Sequence, residues 1–179
     1  GYEKIESSLQ KALSLRSNSD IYHTALANAY LVQASQLAKG VNPNVTEVTD
    51  LLSKAVNEAR VATEISPNAV AIWENLATMY ENTSALVPEA TDWAIKSLDR
   101  ASELEPTNPI LMWRLGNNYM LQNKFVKGIE YYQKSTSLKK DYVGAYISLA
   151  SAYELNKEVD KAVEIYKSIL QSGVTNNSE

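Results

Sequence analysis

The sequence predicts an all-α protein built from repeated helix pairs, and three observations predict it. A five-residue pattern (leucine, a small residue, two variable positions, tyrosine) occurs at 26–30, 76–80, 115–119 and 149–153, the last two 34 residues apart. Downstream of each comes a second series in steps of four and three: Ala55, Ala59, Ala62; Ala94, Leu98, Ala101; Gly128, Tyr132, Ser135; and Ala162, Tyr166, Ile169. Those steps keep each trio on one helix face. No stretch alternates apolar and polar residues with period two, so no sheet is expected.

Taken in order, residues 1–19 carry Ile5, Leu9 and Ala12 where the second helix of a preceding unit would place them, with no first helix upstream. The chain opens on Gly1 rather than Met and reads as a segment of a longer protein. Unit one, 20–69, starts behind the capping pair Ser19-Asp20. Its tyrosine, Tyr30, lies twenty-five residues before Ala55, against nine from Tyr119 to Gly128 and from Tyr153 to Ala162. Leu31, Ala34, Leu37 and Ala38 continue its first helix, and Val48, Leu51 and Leu52 extend its second backwards. Residues 39–44 form the turn. The sixteen extra residues over 31–54 therefore predict a helical finger, each helix lengthened by about two turns at roughly 3.6 residues per turn. Ser66-Pro67-Asn68 punctuates the passage to unit two, 70–108, which carries a five-residue insertion between Glu81 and Trp93. Its Leu86, Val87 and Trp93 are expected to pack beside the finger and bury the tryptophan. Unit three, 109–142, opens with Asn108-Pro109, a capping residue before a proline whose missing N–H is not needed in the first turn. Unit four, 143–172, follows the cap candidate Asp141, and 173–179 is a polar tail. All of this is assigned to a single domain, 1–179.

Composition excludes several function classes. At 45% apolar and 21% charged, the chain is of ordinary globular make-up. A net charge of -4 and a pI near 5.2 carry no basic footprint for nucleic acid. Cysteine is absent, which removes disulfides, thiolate catalysis and cysteine metal sites together and leaves the compartment open. No apolar run approaches the roughly 20 residues that span a bilayer. The single histidine, His23, falls on a core-facing position, and no phosphate loop, serine elbow or metal-spaced cluster appears. No enzyme activity, cofactor or metal is expected.

The pattern resembles the tetratricopeptide repeat, a helix pair of about 34 residues with conserved tryptophan, leucine-small, tyrosine, alanine and proline positions. Its leucine-small pair falls on Leu26-Ala27, Leu76-Ala77, Leu115-Gly116 and Leu149-Ala150, and its tyrosine on Tyr30, Tyr80, Tyr119 and Tyr153. Its proline matches Pro67 and Pro106, where the last two units have Lys140 and Val174. Its tryptophan is Trp73 in unit two, against His23, Met112 and Tyr146 elsewhere. The resemblance implies a right-handed α-solenoid whose first helices line a concave, peptide-binding groove. Carried over position by position, the exposed groove residues include Thr24 and Asn28; Glu74 and Thr78; Ile110, Trp113, Asn117, Met120 and Leu121; and Ile147 and Ser151.

Two readings of Trp113 stand side by side. Met112 takes the core tryptophan place, so Trp113 turns towards the groove as an anchor beside Ile110, Met120, Leu121 and Ile147, or it folds against a neighbouring helix. The carboxylate-gripping subset of the family has lysines where this chain has Thr24 and Ile110, so a chaperone-tail ligand is not implied. The implied function is binding of a protein or peptide partner. The alternatives are head-to-tail self-association and a spacer arm of a larger bacterial protein. The Glu81–Trp93 insertion, with its Trp-Ala-Ile continuation, looks like repeats in soluble arms of some bacterial membrane polymerases of surface glycans, a likeness that keeps an exported location open beside a cytoplasmic one.

Overall fold

The structure, a computed structural model, describes residues 1–171. The tail expected over 173–179 lies outside the described residues. All regular structure among those residues is helical: α1 (Tyr2–Leu15), α2 (Asp20–Ala38), α3 (Val45–Ile65), α4 (Val70–Thr83), α5 (Ala90–Leu104), α6 (Pro109–Leu121), α7 (Phe125–Leu138), α8 (Val143–Leu155) and α9 (Val159–Gln171).

The caps follow side-chain chemistry in two places and depart from expectation in two others. The Asn108 side chain accepts from Ile110 N and Leu111 N ahead of Pro109, and Asn44 accepts from Glu47 N, each satisfying otherwise orphaned donors of a first turn. Ser19 occupies the N-cap of α2 without a side-chain capping bond. Asp20 instead accepts from its neighbour Ile21 N at 2.8 Å and from the Ser66 hydroxyl at 2.5 Å, tying the start of α2 to the end of α3. At α8 the N-cap is Tyr142 rather than Asp141, because a turn bonding Tyr142 N to Lys139 O carries the chain one residue further.

The chain forms two compact units, Gly1–Leu104 and Glu105–Glu179. In the first, α2 and α3 run 19 and 21 residues and are joined by the turn at 39–44, whereas α4 and α5 have 14 and 15. The shorter insertion goes into a wide turn at 84–89 between α4 and α5. The buried core joins Leu26, Ala27, Tyr30 and Ala34 to Val48, Leu51, Leu52, Ala55 and Ala59, with Leu76 and Met79 of α4. Alanines dominate the α3 seam because α2 and α3 approach closely along it. Leu9 and Leu13 of α1 pack on this core, but Ile5 stays 49% exposed, so the inward face of α1 lies one step away from the expected Ile5 position. Trp93 is likewise not buried by the finger. It is 44% exposed and leans on Tyr80 of α4 with ring centroids 5.5 Å apart.

The second unit shows why its repeat keeps glycines. A Cβ added at Gly116 would stand 2.5 Å from the Tyr132 ring, and one at Gly128 would stand 2.5 Å from Met120 Sδ. The α6–α7 and α8–α9 connections are superposable bond by bond at the sequence period. Gln122, Asn123 and Lys124 donate to Asn118, Met120 and Tyr119 carbonyls, and Asn156, Lys157 and Glu158 donate to Ala152, Glu154 and Tyr153 carbonyls. Each turn passes through a left-handed residue, Asn123 (φ 57°) and Lys157 (φ 64°). Asparagine tolerates that conformation and lysine is strained by it.

Candidate functional site

The sequence-predicted site residues lie on the first helices of the pairs. In the second unit, steps of three and four place Ile110, Trp113, Asn117 and Leu121 along one face of α6, and Ile147 and Ser151 along one face of α8. Ile110, Leu121 and Ile147 are 49%, 66% and 41% exposed. Trp113 is half-buried: its indole N–H donates to Ser148 Oγ at 2.9 Å and its ring tilts against Tyr142 with centroids 6.0 Å apart. It also packs on the cluster of Ile129, Tyr132, Leu149 and Tyr153. Trp113 thus fastens α6 to α8 while staying only partly buried. Met120 packs into the same cluster with its sulfur over Gly128, which makes it a filler between α6 and α7.

Asn117 and Ser151, one sequence period apart, have equivalent partners. The Tyr132 hydroxyl donates to Asn117 Oδ1 at 2.7 Å, and Ser151 Oγ lies 3.4 Å from the Tyr166 hydroxyl. In both pairs the tyrosine of the second helix reaches through to the first. Burial pushes the Tyr132 phenol up to about 12, opposed in part by the neighbouring Ser148 hydroxyl. Asn117 keeps its amide nitrogen for a further acceptor, so this face offers both aliphatic surface and a backbone-type hydrogen bond.

In the first unit the face is polar. Asn75 of α4 donates to Asn28 Oδ1 of α2 at 2.9 Å. Thr24 Oγ1 and Asn75 Oδ1 are buried without a partner among the described residues. Thr78 turns its hydroxyl back onto the Glu74 carbonyl at 2.9 Å. His23, just behind this face, places Nδ1 2.6 Å from Glu58 Oε2 and Nε2 3.1 Å from the Ser17 carbonyl, a hydrogen-bonded structural role.

Sequence reasoning missed Asn75 and Ser148. Both immediately precede a leucine-small pair, and both bond back to the preceding first helix, Asn75 to Asn28 and Ser148 to Trp113. That shared position is the signal that would have found them. No group of three or more His, Cys, Asp or Glu side chains able to hold a metal occurs among the described residues. No described helix is long and apolar enough to cross a membrane.

Comparison with known proteins follows the same lines. Residues 143–172 match the tetratricopeptide repeat family. No curated protein matches the chain in sequence. Among solved structures, MamA superposes with a TM-score of 0.75 at 21% identity, covering 95% of this chain and 87% of its own. Pseudomonas aeruginosa PilF gives 0.69 at 20% identity over 98% and 70%. YrrB, a tetratricopeptide protein with an unusual peptide-binding site, gives 0.69 at 18% identity over 94% and 76%. Residues 143–172 are thus similar to a tetratricopeptide repeat, and the chain has the all-α helical-repeat fold of these solved structures.

Proposed function

We propose that the chain is a protein-interaction module that holds a peptide or protein segment against the faces of its first helices. The observation that carries this reading is that Ile110, Leu121 and Ile147 stay exposed on α6 and α8, the two helices that the Trp113–Ser148 bond ties together. Exposed apolar side chains along adjoining helix faces mark interaction surfaces, and a tryptophan among them is the residue type on which binding energy concentrates. Asn117 supplies the polar contact that orients an extended backbone. The Thr24, Asn28, Glu74 and Thr78 face of the first unit forms a second, polar surface. The division into repeats starting at Asp20, Val70, Pro109 and Val143 is part of the reading, as is a groove built from first helices.

The reading contains no catalytic step and no cofactor, and the acidic balance of the chain favours protein over nucleic acid as partner. The test is selection of binders from a random peptide library, followed by titration of the selected peptides against wild type and Ile147→Asp. A solvent-facing residue of α8 tolerates this change, so the fold should persist. Burying one aliphatic anchor is worth roughly 1.5–3 kcal/mol, so affinity should fall about tenfold or more. Equal affinity for both proteins would overturn the reading. So would peptides that fail to emerge while the mass of the chain climbs with concentration, which would assign the apolar face to self-association.

A further inference from the structure

The two segments in which the sequence departs from its repeat meet in space. The α2–α3 extension and the 84–89 turn enclose a cavity of about 410 Å³, walled by Leu31, Val48 and Leu52 on one side and Ala85 and Leu86 on the other. This lies within the roughly 300–1,000 Å³ range of small-molecule sites. Its chemistry is narrow. Apart from Ser35, Lys39 and Asn82 the walls are aliphatic, with no aromatic ring to stack a sugar or base and no carboxylate to hold a cation. Asn82 already donates its amide to the Thr78 carbonyl at 2.8 Å. That leaves Lys39, at the end of α2, as the one charged group in the wall. It is the only charged residue between Leu31 and Thr46 and makes no ion pair among the described residues. The nearest acid along the chain, Glu47, is not in the wall, and its carboxylate accepts from the Asn44 side chain.

We propose that this cavity binds a straight-chain aliphatic carboxylate, with the alkyl chain between the two insertions and the carboxylate on the Lys39 ammonium. The volume accommodates a chain of up to roughly thirteen carbons if each methylene takes about the 30 Å³ share of a water molecule. An alkyl chain complements flexible aliphatic walls, and a single negative head complements a single unpaired cation. The site uses the two insertions and is independent of the peptide reading.

The experiment is methyl NMR of the full chain titrated with octanoate and, separately, with octanol. Octanoate should move the Leu31, Val48, Leu52 and Leu86 methyls saturably. Octanol should bind up to about fivefold more weakly, the worth of an exposed ion pair. In Lys39→Met the two ligands should become equal. Ala38→Phe, at an exposed position on the cavity wall, should lose both while the dispersion of the remaining methyl signals shows an intact fold. Absence of saturable shifts at these methyls, equal binding of the two ligands to wild type, or undiminished binding to Ala38→Phe would each overturn the proposal.

Discussion

Gly116→Ala sets two opposed effects against each other, and the structure decides the sign. In an isolated helix the change would stabilise by about 1 kcal/mol, because alanine is the better helix former. Here the added methyl carbon stands 2.5 Å from Tyr132 Cδ1 and Cε1 and 3.1 Å from Cζ. Tyr132 is 4% exposed and its hydroxyl is tied to Asn117, so the ring has little room to withdraw. Overpacking a filled site costs about 1–3 kcal/mol, and displacing the Tyr132–Asn117 bond costs about 1 kcal/mol more. The net expectation is a loss of about 1–3 kcal/mol. With a slope of about 2 kcal/mol per molar, the urea midpoint followed by far-UV circular dichroism should fall by roughly 0.5–1.5 M at unchanged slope. Gly144→Ala is the matched control. In the first turn of α8 its methyl would meet only Tyr142, at 3.3 Å, so stability should hold within about 0.5 kcal/mol. A Gly116→Ala protein as stable as wild type would refute the claim that close approach of α6 and α7 dictates the small residue.

Three further outcomes follow from particular contacts. Trp113→Ala should lower stability by about 2 kcal/mol, less than the roughly 3–5 kcal/mol of a fully buried tryptophan, as read by chemical denaturation. A melt indistinguishable from wild type would restore the view of Trp113 as a purely exposed anchor. The Tyr132 phenol is raised from 10.0 to about 12 in the fold, so the stability it contributes is complete below pH 10 and is lost as pH rises towards 12. Tyr132→Phe should remove that part of the alkaline slope when denaturation curves are compared between pH 9 and pH 12, and an identical slope would count against the burial argument. Lys157→Gly relieves a left-handed lysine and should raise the urea midpoint by the equivalent of about 1 kcal/mol. A lowered midpoint would contradict the strain.

The all-α class was legible because the small-residue trios report close helix approach directly. Ala55, Ala59 and Ala62, like Ala94, Leu98 and Ala101, are fully buried in the fold. Leucine-small pairs are equally readable, since their side chains face inward wherever the pair occurs. What the sequence hides is how a side chain at the edge of a face divides itself. Trp113 could be placed on the correct face of α6 but not bonded to Ser148, because that partner lies 35 residues away and its role shows only when the residues before successive leucine-small pairs are compared. Trp93 was misjudged for a related reason: an insertion has no repeat register to say which neighbour it meets, and the residue met was Tyr80. At Ile5 an apolar residue proved outward-facing because α1 presents Leu9, Ala12 and Leu13 to its neighbour and turns the preceding step to solvent.

The central claim is that a partner lies on the first-helix face of the second unit. Methyl NMR of the chain with a selected peptide tests it most directly, reading Ile110, Leu121 and Ile147 against Val126 and Val163, which are exposed on α7 and α9. The account predicts saturable shifts of the first three with the Val126 and Val163 signals unmoved. Saturable shifts of Val126 or Val163, with Ile110, Leu121 and Ile147 unchanged, would contradict it.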